Sequence, residues 1–324
     1  LRRAVVFGAA GQDGSYLVSD LLARGYIVLG LVHGNAAQRS QQDGLSFAHM
    51  PLEDLDGLPA LLREFGPNEF YNLAARTSGA GMFDDPIAIG ELNGIAVARM
   101  LEAIYQSDRR IRFCQASSSE LFGEPEESPQ SEATPLRPRS PYGAAKLYAH
   151  WMLDIYRKRH GMFACSALLF NHESPRRGLT FVTRKVTHAA ARIKLGIADQ
   201  VELGNLEARR DWGFAGDYMR AMRLMLQQDQ PRDYVVATGK THSVRQLCEV
   251  AFGHLGLDYK RYVVEAQADF RSSEPVQLMG DASLARRELG WAPTVGFAQM
   301  IASMVDHDLA LLRIYGARDL KPIA

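Results

Sequence analysis

Short apolar runs alternate with stretches of helical period along the first half of the chain. Ala4–Phe7 is uninterrupted apolar sequence and predicts a buried strand; a glycine-rich turn, Gly8–Gly14, follows it and opens onto a helical pattern over residues 15–23. Further strands are predicted at Tyr26–Val32, Glu69–Leu73, Ile111–Ala116 and Phe163–Leu169, with a long helical pattern over Ile87–Tyr105. Another helix opens at Ser140-Pro141, where a serine can cap free N–H groups and a proline loses nothing at the first helical position. Strands separated by helices form βαβ units, so the expected fold is α/β with a doubly wound parallel sheet. Ligands of such sheets bind beyond the carboxyl ends of the strands, and the chemistry-bearing segments below fall at those ends.

After Leu169 the alternation loosens. Residues 171–213 are rich in Arg, Gly, Asn and His, and residues 258–280 read as irregular. Helical pattern returns at Tyr218–Gln228 and Ser243–Leu255, and a strand is predicted at Tyr234–Ala237. Phe297–Leu312 is an amphipathic helix with Ile301, Met304, Val305 and Leu309 on its apolar side. Arg39–Gly44 is the most linker-like stretch.

Gly8, Gly11 and Gly14 stand between a predicted strand and a predicted helix. Glycines at that spacing allow a tight turn, close approach of backbone to a pyrophosphate, and close helix–strand packing; the helix N-terminus then faces the phosphates. This makes residues 1–169 a Rossmann-type dinucleotide-binding domain, to which residues 214–239 return. Residues 170–213 and 240–324 make a smaller, interleaved α/β substrate lobe. After the second strand the chain reads Val32-His33-Gly34-Asn35, without the acidic residue that favours NAD, while Arg39 can meet a 2′-phosphate.

Tyr142 and Lys146 lie one helical turn apart on one face. Tyrosine ionises near pH 10, and a nearby ammonium and a cationic nicotinamide are expected to lower that value toward a usable base. Alone, such a pair is as often a packed tyrosine beside a solvated lysine. The strand-end hydroxyl of Ser118 makes the combination more specific.

Composition narrows the field. The 324 residues carry 37 Lys+Arg against 37 Asp+Glu, so no cationic footprint for general nucleic-acid binding exists. With 47% hydrophobic and 23% charged residues the chain has the balance of a folded globular protein. Cys114, Cys165 and Cys248 are far apart and form no CxxC, which points to packed thiols in a reducing, cytoplasmic setting and to no metal site. No apolar run reaches the roughly 18 residues of a membrane span.

The glycine turn, the strand-end serine and the Tyr-Lys pair together resemble the extended short-chain dehydrogenase/reductases. Within them the chain resembles the GDP-mannose 4,6-dehydratase family, through Gln115–Gly123, Pro138–Tyr148, Phe170-Asn-His-Glu-Ser-Pro-Arg-Arg-Gly178, Phe181–Lys185, Leu203-Gly-Asn205, Arg210-Asp-Trp-Gly213 and Ala237-Thr-Gly239. The resemblance runs from about residue 3 to residue 312. It implies that Tyr142 takes the C4 hydroxyl proton, Lys146 holds Tyr142 and the nicotinamide ribose, and Ser118 orients the C4 oxygen. Glu120 removes the C5 proton, and Glu120 or Ser119 protonates the departing C6 oxygen. Cofactor contacts are implied at Gly8, Gly11, Gln12, Asp13, Gly14, Arg39, Leu73, Ala74, Tyr142 and Lys146, with NADP as the cofactor and NAD as the alternative. Nucleotide-sugar contacts are implied at Asn171, Glu173, Arg184, Lys185, Arg210, Arg271 and Glu274. A homodimer or homotetramer is implied, through helices around residues 87–105 and 142–158.

A diphosphate prefers forked guanidinium donors. Arg176, Arg177, Arg184, Lys185, Arg209 and Arg210 crowd into one 35-residue stretch, and some of them are expected to converge on the diphosphate. Arg176, Arg177 and Arg209 are expected to be solvated, and His172 structural. The segment Arg76-Thr-Ser-Gly79 departs from the family, which has a Gln-Ser-containing continuation near the substrate. The competing functions are a GDP-heptose 4,6-dehydratase, a GDP-4-keto-6-deoxysugar reductase or epimerase, and a nucleotide-sensing scaffold without turnover. Glu120 argues against the reductase, and retention of Tyr142, Lys146 and Glu120 against the scaffold.

Overall fold

The apolar runs take up the strands their composition dictates. In the computed structural model, which describes residues 1–34, 42–77, 83–266 and 277–316, the strands are β1 (Arg3–Phe7), β2 (Ile27–Val32), β3 (Leu45–His49), β4 (Glu69–Asn72), β5 (Arg112–Ala116), β6 (Ala164–Leu169), β7 (Asn171–Glu173), β8 (Val201–Leu203), β9 (Arg209–Phe214), β10 (Tyr234–Val236), β11 (Thr241–Ser243) and β12 (Val263–Glu265). The helices are α1 (Gln12–Leu22), α2 (Leu58–Phe65), α3 (Pro86–Gly90), α4 (Ala96–Asp108), α5 (Pro141–His160), α6 (Val182–Lys194), α7 (Ala215–Met225), α8 (Val244–His254), α9 (Ser283–Leu289) and α10 (Phe297–Tyr315).

Seven strands form one parallel sheet in the order β10-β6-β5-β4-β1-β2-β3. Alternate residues of β1 enter opposite cores. Ala4 and Val6 pack with Leu17 and Leu21 of α1 and Met219 and Met222 of α7; Val5 and Phe7 pack with Leu58 and Leu62 of α2 and Met100 and Ile104 of α4. After β3 the chain returns to the far side of β1 to make β4, so the strand order reverses there. The crevice outside the carboxyl ends of β1 and β4 is the ligand position of doubly wound sheets.

A third core joins Val186 and Ala190 of α6, Leu247 and Phe252 of α8, Met300 and Met304 of α10, and Trp212 of β9. Two small sheets flank it, β11-β9-β7 and β12-β8. Ala282, Ala285, Leu289 and Trp291 follow a different course. The sequence puts them in the substrate lobe, yet they pack in the core of α1 and α7 beneath the large sheet. No helix of the described residues is long and apolar enough to cross a membrane.

The helical pattern over Ile87–Tyr105 is three pieces, α3, a π-helical turn at Glu91–Ile95 and α4. Residues 258–280, expected to be irregular, contain a 3₁₀ turn at Tyr259–Arg261 and β12. A three-residue strand is too short to show a period. The loosened stretch 171–213 hides α6, whose buried Val186, Ala190 and Ile193 keep helical spacing among charged neighbours.

Candidate active site

Three glycines solve three problems at the end of β1. Gly8 turns the chain at φ +84°, and a Cβ there would lie 2.9 Å from the Ala74 nitrogen beyond β4. A Cβ on Gly14 would lie 2.1 Å from Gly8 O, so only glycine lets α1 pack this close to the turn. Above Gly11 there is room: the nearest heavy atom to a Cβ there is Gly8 O at 3.5 Å. This open cradle at the N-terminus of α1 fits the pyrophosphate of a dinucleotide.

The Asn171–Pro175 segment clamps onto that turn. His172 Nε2 lies 2.9 Å from Asp13 Oδ2, and its Nδ1 lies 2.7 Å from Phe170 O. Ser174 Oγ donates to Gln12 Oε1 at 2.8 Å, and the Gln12 amide donates to His172 O at 3.2 Å. Both ring nitrogens of His172 face acceptors, which suits an imidazolium. Burial alone would push His172 down, but the Asp13 charge and hydrogen bond raise it above the ordinary histidine value. Burial likewise pushes Asp13 up, and His172 overrides it, so Asp13 is lowered. His172, expected to be structural, holds β7 to the glycine turn through these contacts and also lines the cleft, with Tyr218 stacked behind it.

At the end of β5, Ser118 Oγ accepts from Glu120 N at 3.2 Å and caps a 3₁₀ turn, Ser119–Leu121. Ser140 Oγ accepts from Gly143 N at 3.0 Å and starts α5. The first turn of α5 presses on the Ser119–Leu121 turn, since a Cβ on Gly143 would lie 2.7 Å from Glu120 O. That contact brings Tyr142 to Ser118 and Glu120. One turn on, the buried Lys146 ammonium donates to Ala116 O at 2.8 Å and lies 5.8 Å from the Tyr142 ring centre. Burial pulls Lys146 down to about 8. Burial and the Glu120 charge push Tyr142 up to about 12, against the hydrogen bond from Ser118 and the charge of Arg177.

These groups share one cleft of about 2670 Å³ with Leu73, Ala74, Ser119, Asn171, Glu173, Arg184 and Arg210. Lys185 is exposed on α6 and does not line it: adjacent helical positions point about 100° apart, and Arg184 takes the inward one. Arg39, Arg271 and Glu274 lie outside the described residues. Arg184 is buried and its guanidinium is engaged by Asp308, Pro175 O and Arg177 O, so it ties α6 to α10.

Arg176, Arg177 and Arg209, expected to be solvated, all line the cleft; Arg176 is exposed, as expected, whereas Arg177 and Arg209 are half-buried. Arg177 lies 3.6 Å from the Phe181 ring centre and 3.2 Å from Glu173; Arg176 lies 4.4 Å from the Tyr16 ring centre and donates to Ser15 Oγ at 2.8 Å. Arg209 donates to Thr241 O at 2.9 Å. Aromatic faces and fixed acceptors, invisible in a charge count, hold these arginines in place.

A sequence model described as GDP-mannose 4,6 dehydratase matches residues 5–304. The chain belongs to the GDP-mannose 4,6-dehydratase family. It is 45% identical to GDP-mannose 4,6 dehydratase 2 of Arabidopsis thaliana, covering 96% of this chain and 87% of that protein. It is 40% identical to GDP-mannose 4,6-dehydratase of Vibrio cholerae, covering 97% of each. Among solved structures, UDP-glucose 4-epimerase of Thermus thermophilus in complex with NAD superposes with a TM-score of 0.81 at 27% identity, over 94% of this chain and 98% of that one.

Family motifs in the sequence did not point to the far end of α10. His307, Arg313 and Tyr315 line the cleft there, because the apolar spacing of that helix reports only its core side. Arg76 and Thr77 beyond β4 line it as well.

Proposed function

We propose that the chain converts GDP-mannose to GDP-4-keto-6-deoxymannose with loss of one water. The observation that carries this is the packing of the Glu120 turn against the helix bearing Tyr142 and Lys146. Plain hydride transfer needs Ser118, Tyr142 and Lys146; a carboxylate beside them adds a base for elimination. The named GDP-mannose dehydratases at 40–45% identity support the substrate. A nicotinamide dinucleotide fits the cradle over Gly11, beside Gln12 and Asp13 and against Leu73 and Ala74. NADP is the expected form, because His33-Gly34 leaves the end of β2 without an acid.

When bound, the dinucleotide supplies a hydride acceptor for C4 and returns that hydride at C6, so no external reductant is consumed. Tyr142 accepts the proton of the C4 hydroxyl once positive charge in the cleft lowers its pKa. Lys146, still largely protonated at neutral pH, supplies part of that charge, and Ser118 orients the C4 oxygen. The resulting 4-keto group acidifies the C5 proton, which Glu120 takes. The C6 hydroxyl leaves as water with a proton from Glu120 or Ser119, and a proton returned to C5 completes the product. Arg177, Arg209 and Arg210 face the diphosphate, and Asn171 and Glu173 the nucleotide sugar.

The large sheet with residues 282–291 forms the dinucleotide-binding unit, and the third core the substrate lobe. Exposed Ile87, Tyr148, Trp151 and Ile155 on α3 and α5 support a homodimer across that face. The three buried, unpaired thiols support a cytoplasmic location. Incubation with GDP-mannose in deuterated water, without added reductant, is expected to give the 4-keto-6-deoxy product with deuterium at C5. Absence of product from any GDP-sugar contradicts the assignment.

A further inference from the structure

Leu73–Thr77 leave β4 and run along the cleft between the glycine turn and the Ser118–Glu120 turn, because β4 pairs with both β1 and β5. Arg76 is the charged side chain of that segment. One buried amide grips its backbone from both sides. Arg76 N donates to Asn93 Oδ1 at 2.9 Å, and Asn93 Nδ2 donates to Arg76 O at 3.0 Å, with Asn93 1% exposed.

Asn93 belongs to the π-helical turn, a feature that concentrates at functional sites. Its neighbour Gly94 lies against α5, where a Cβ would sit 3.2 Å from Ala145 O. The turn that fixes Arg76 therefore also backs the helix carrying Tyr142 and Lys146.

Arg76 Nη1 donates to Asp85 Oδ2 at 2.9 Å. Asp85 sits at φ +48°, alone among described non-glycine residues in a left-handed conformation, and caps α3 by accepting from Ala88 N at 3.3 Å. Such backbone strain accumulates at ligand clamps. The two side chains are 47% and 52% exposed, so their mutual attraction is weak and easily exchanged for a ligand. Arg76 and the Ala88 N–H both hold the Asp85 carboxyl below the usual range, so it remains an acceptor.

We propose that Arg76, which lines the cleft while its partner Asp85 stands outside the lining, reads the sugar, its guanidinium donating to hexose hydroxyls that the reaction leaves in place. A sugar hydroxyl accepts from a guanidinium N–H, and the exposed bond to Asp85 that holds the side chain is weak enough to be exchanged for it. In the function proposed above the diphosphate is met by the arginines of the other wall, so Arg76 reads the sugar and not the nucleotide. This rests on the GDP-sugar assignment above.

Calorimetric affinities for GDP and for GDP-mannose, measured in a Tyr142→Phe background so that no turnover occurs, test it. Arg76→Ala is expected to weaken GDP-mannose about ten-fold and GDP less than about two-fold. Asp85→Asn, which keeps a cap and tolerates the left-handed backbone, is expected to weaken GDP-mannose by a smaller factor, and Arg76→Lys to recover part of the loss. Unchanged GDP-mannose affinity in Arg76→Ala overturns the proposal. So does parallel weakening of both ligands, or a starting protein that binds GDP-mannose no better than GDP. Because affinities are read, a wild-type chain that binds GDP-mannose but fails to dehydrate it contradicts the proposed function and leaves this test intact.

Discussion

The wall of the cleft made by β1, β4, β5 and α5 is held by backbone geometry, whereas the wall made by β7, β9, α6 and α10 is held by buried side-chain contacts between distant segments. On the first wall, Gly8, Gly14 and Gly143 allow turns to touch, and Lys146 hangs from a strand-end carbonyl. On the second, fully buried Asp308 accepts from Arg184 and, at 2.8 Å, from Thr187 Oγ1, across 124 and 121 positions of sequence. Asp211 gathers Thr238 N and Gly239 N at 2.9 Å each and Gly280 N at 3.3 Å. Chemistry on the first wall should therefore be removable without loss of the fold, while the second wall should lose stability when one carboxylate is removed.

The largest effect expected is in turnover. Tyr142→Phe should reduce dehydration about 10²–10⁴-fold, with a denaturation midpoint close to wild type; a variant that keeps its rate would strip Tyr142 of its role. Next comes Asp308→Ala, which leaves Arg184 as a buried unpaired charge. It should cost about 3–5 kcal/mol in denaturant unfolding. A loss under about 1 kcal/mol would dissolve the contrast between the walls.

The Asp13–His172 pair joins the two walls and sharpens the comparison through pH. His172 is raised, so its contribution to stability is fully present below about pH 6.5, its unfolded value, and is lost as pH climbs through the folded value. Asp13 is lowered, so its contribution is present above about pH 3.9 and is lost as pH falls through the folded value. The stability difference between wild type and His172→Gln, about 1.5–3 kcal/mol for a charge-assisted hydrogen bond, should peak between those values. A difference flat in pH would show that the pair is not ionised. The smallest effect belongs to Lys185→Ala, which should leave KM for GDP-mannose within about two-fold, because the side chain points away from the cleft; a larger rise would return Lys185 to the site.

The same contrast explains how far the sequence could be read. Glycine spacing, the Ser140-Pro141 cap and the Tyr142–Lys146 turn are local, and each is a direct imprint of nearby backbone geometry. The parallel sheet followed from apolar runs at helix-spaced intervals, and β3 escaped because its side chains are only half-buried. Arg184 carried a motif yet serves Asp308, a partner no local window contains. Arg177 looked solvated because Phe181, the ring beneath its guanidinium, lies at the start of an unrecognised helix. The raised Tyr142 arises from burial and from Glu120, a sum over tertiary neighbours that spacing alone does not carry.

The central claim is that one hydride leaves C4 and returns to C6 of the same sugar while Glu120 drives elimination between them. GDP-mannose deuterated at C4 tests it, with the position of the label in the product read by nuclear magnetic resonance. The account predicts deuterium at C6 of the 4-keto-6-deoxy product, without accumulation of reduced dinucleotide. Label lost to solvent, or a stoichiometric build-up of reduced dinucleotide with C6 still hydroxylated, would contradict it.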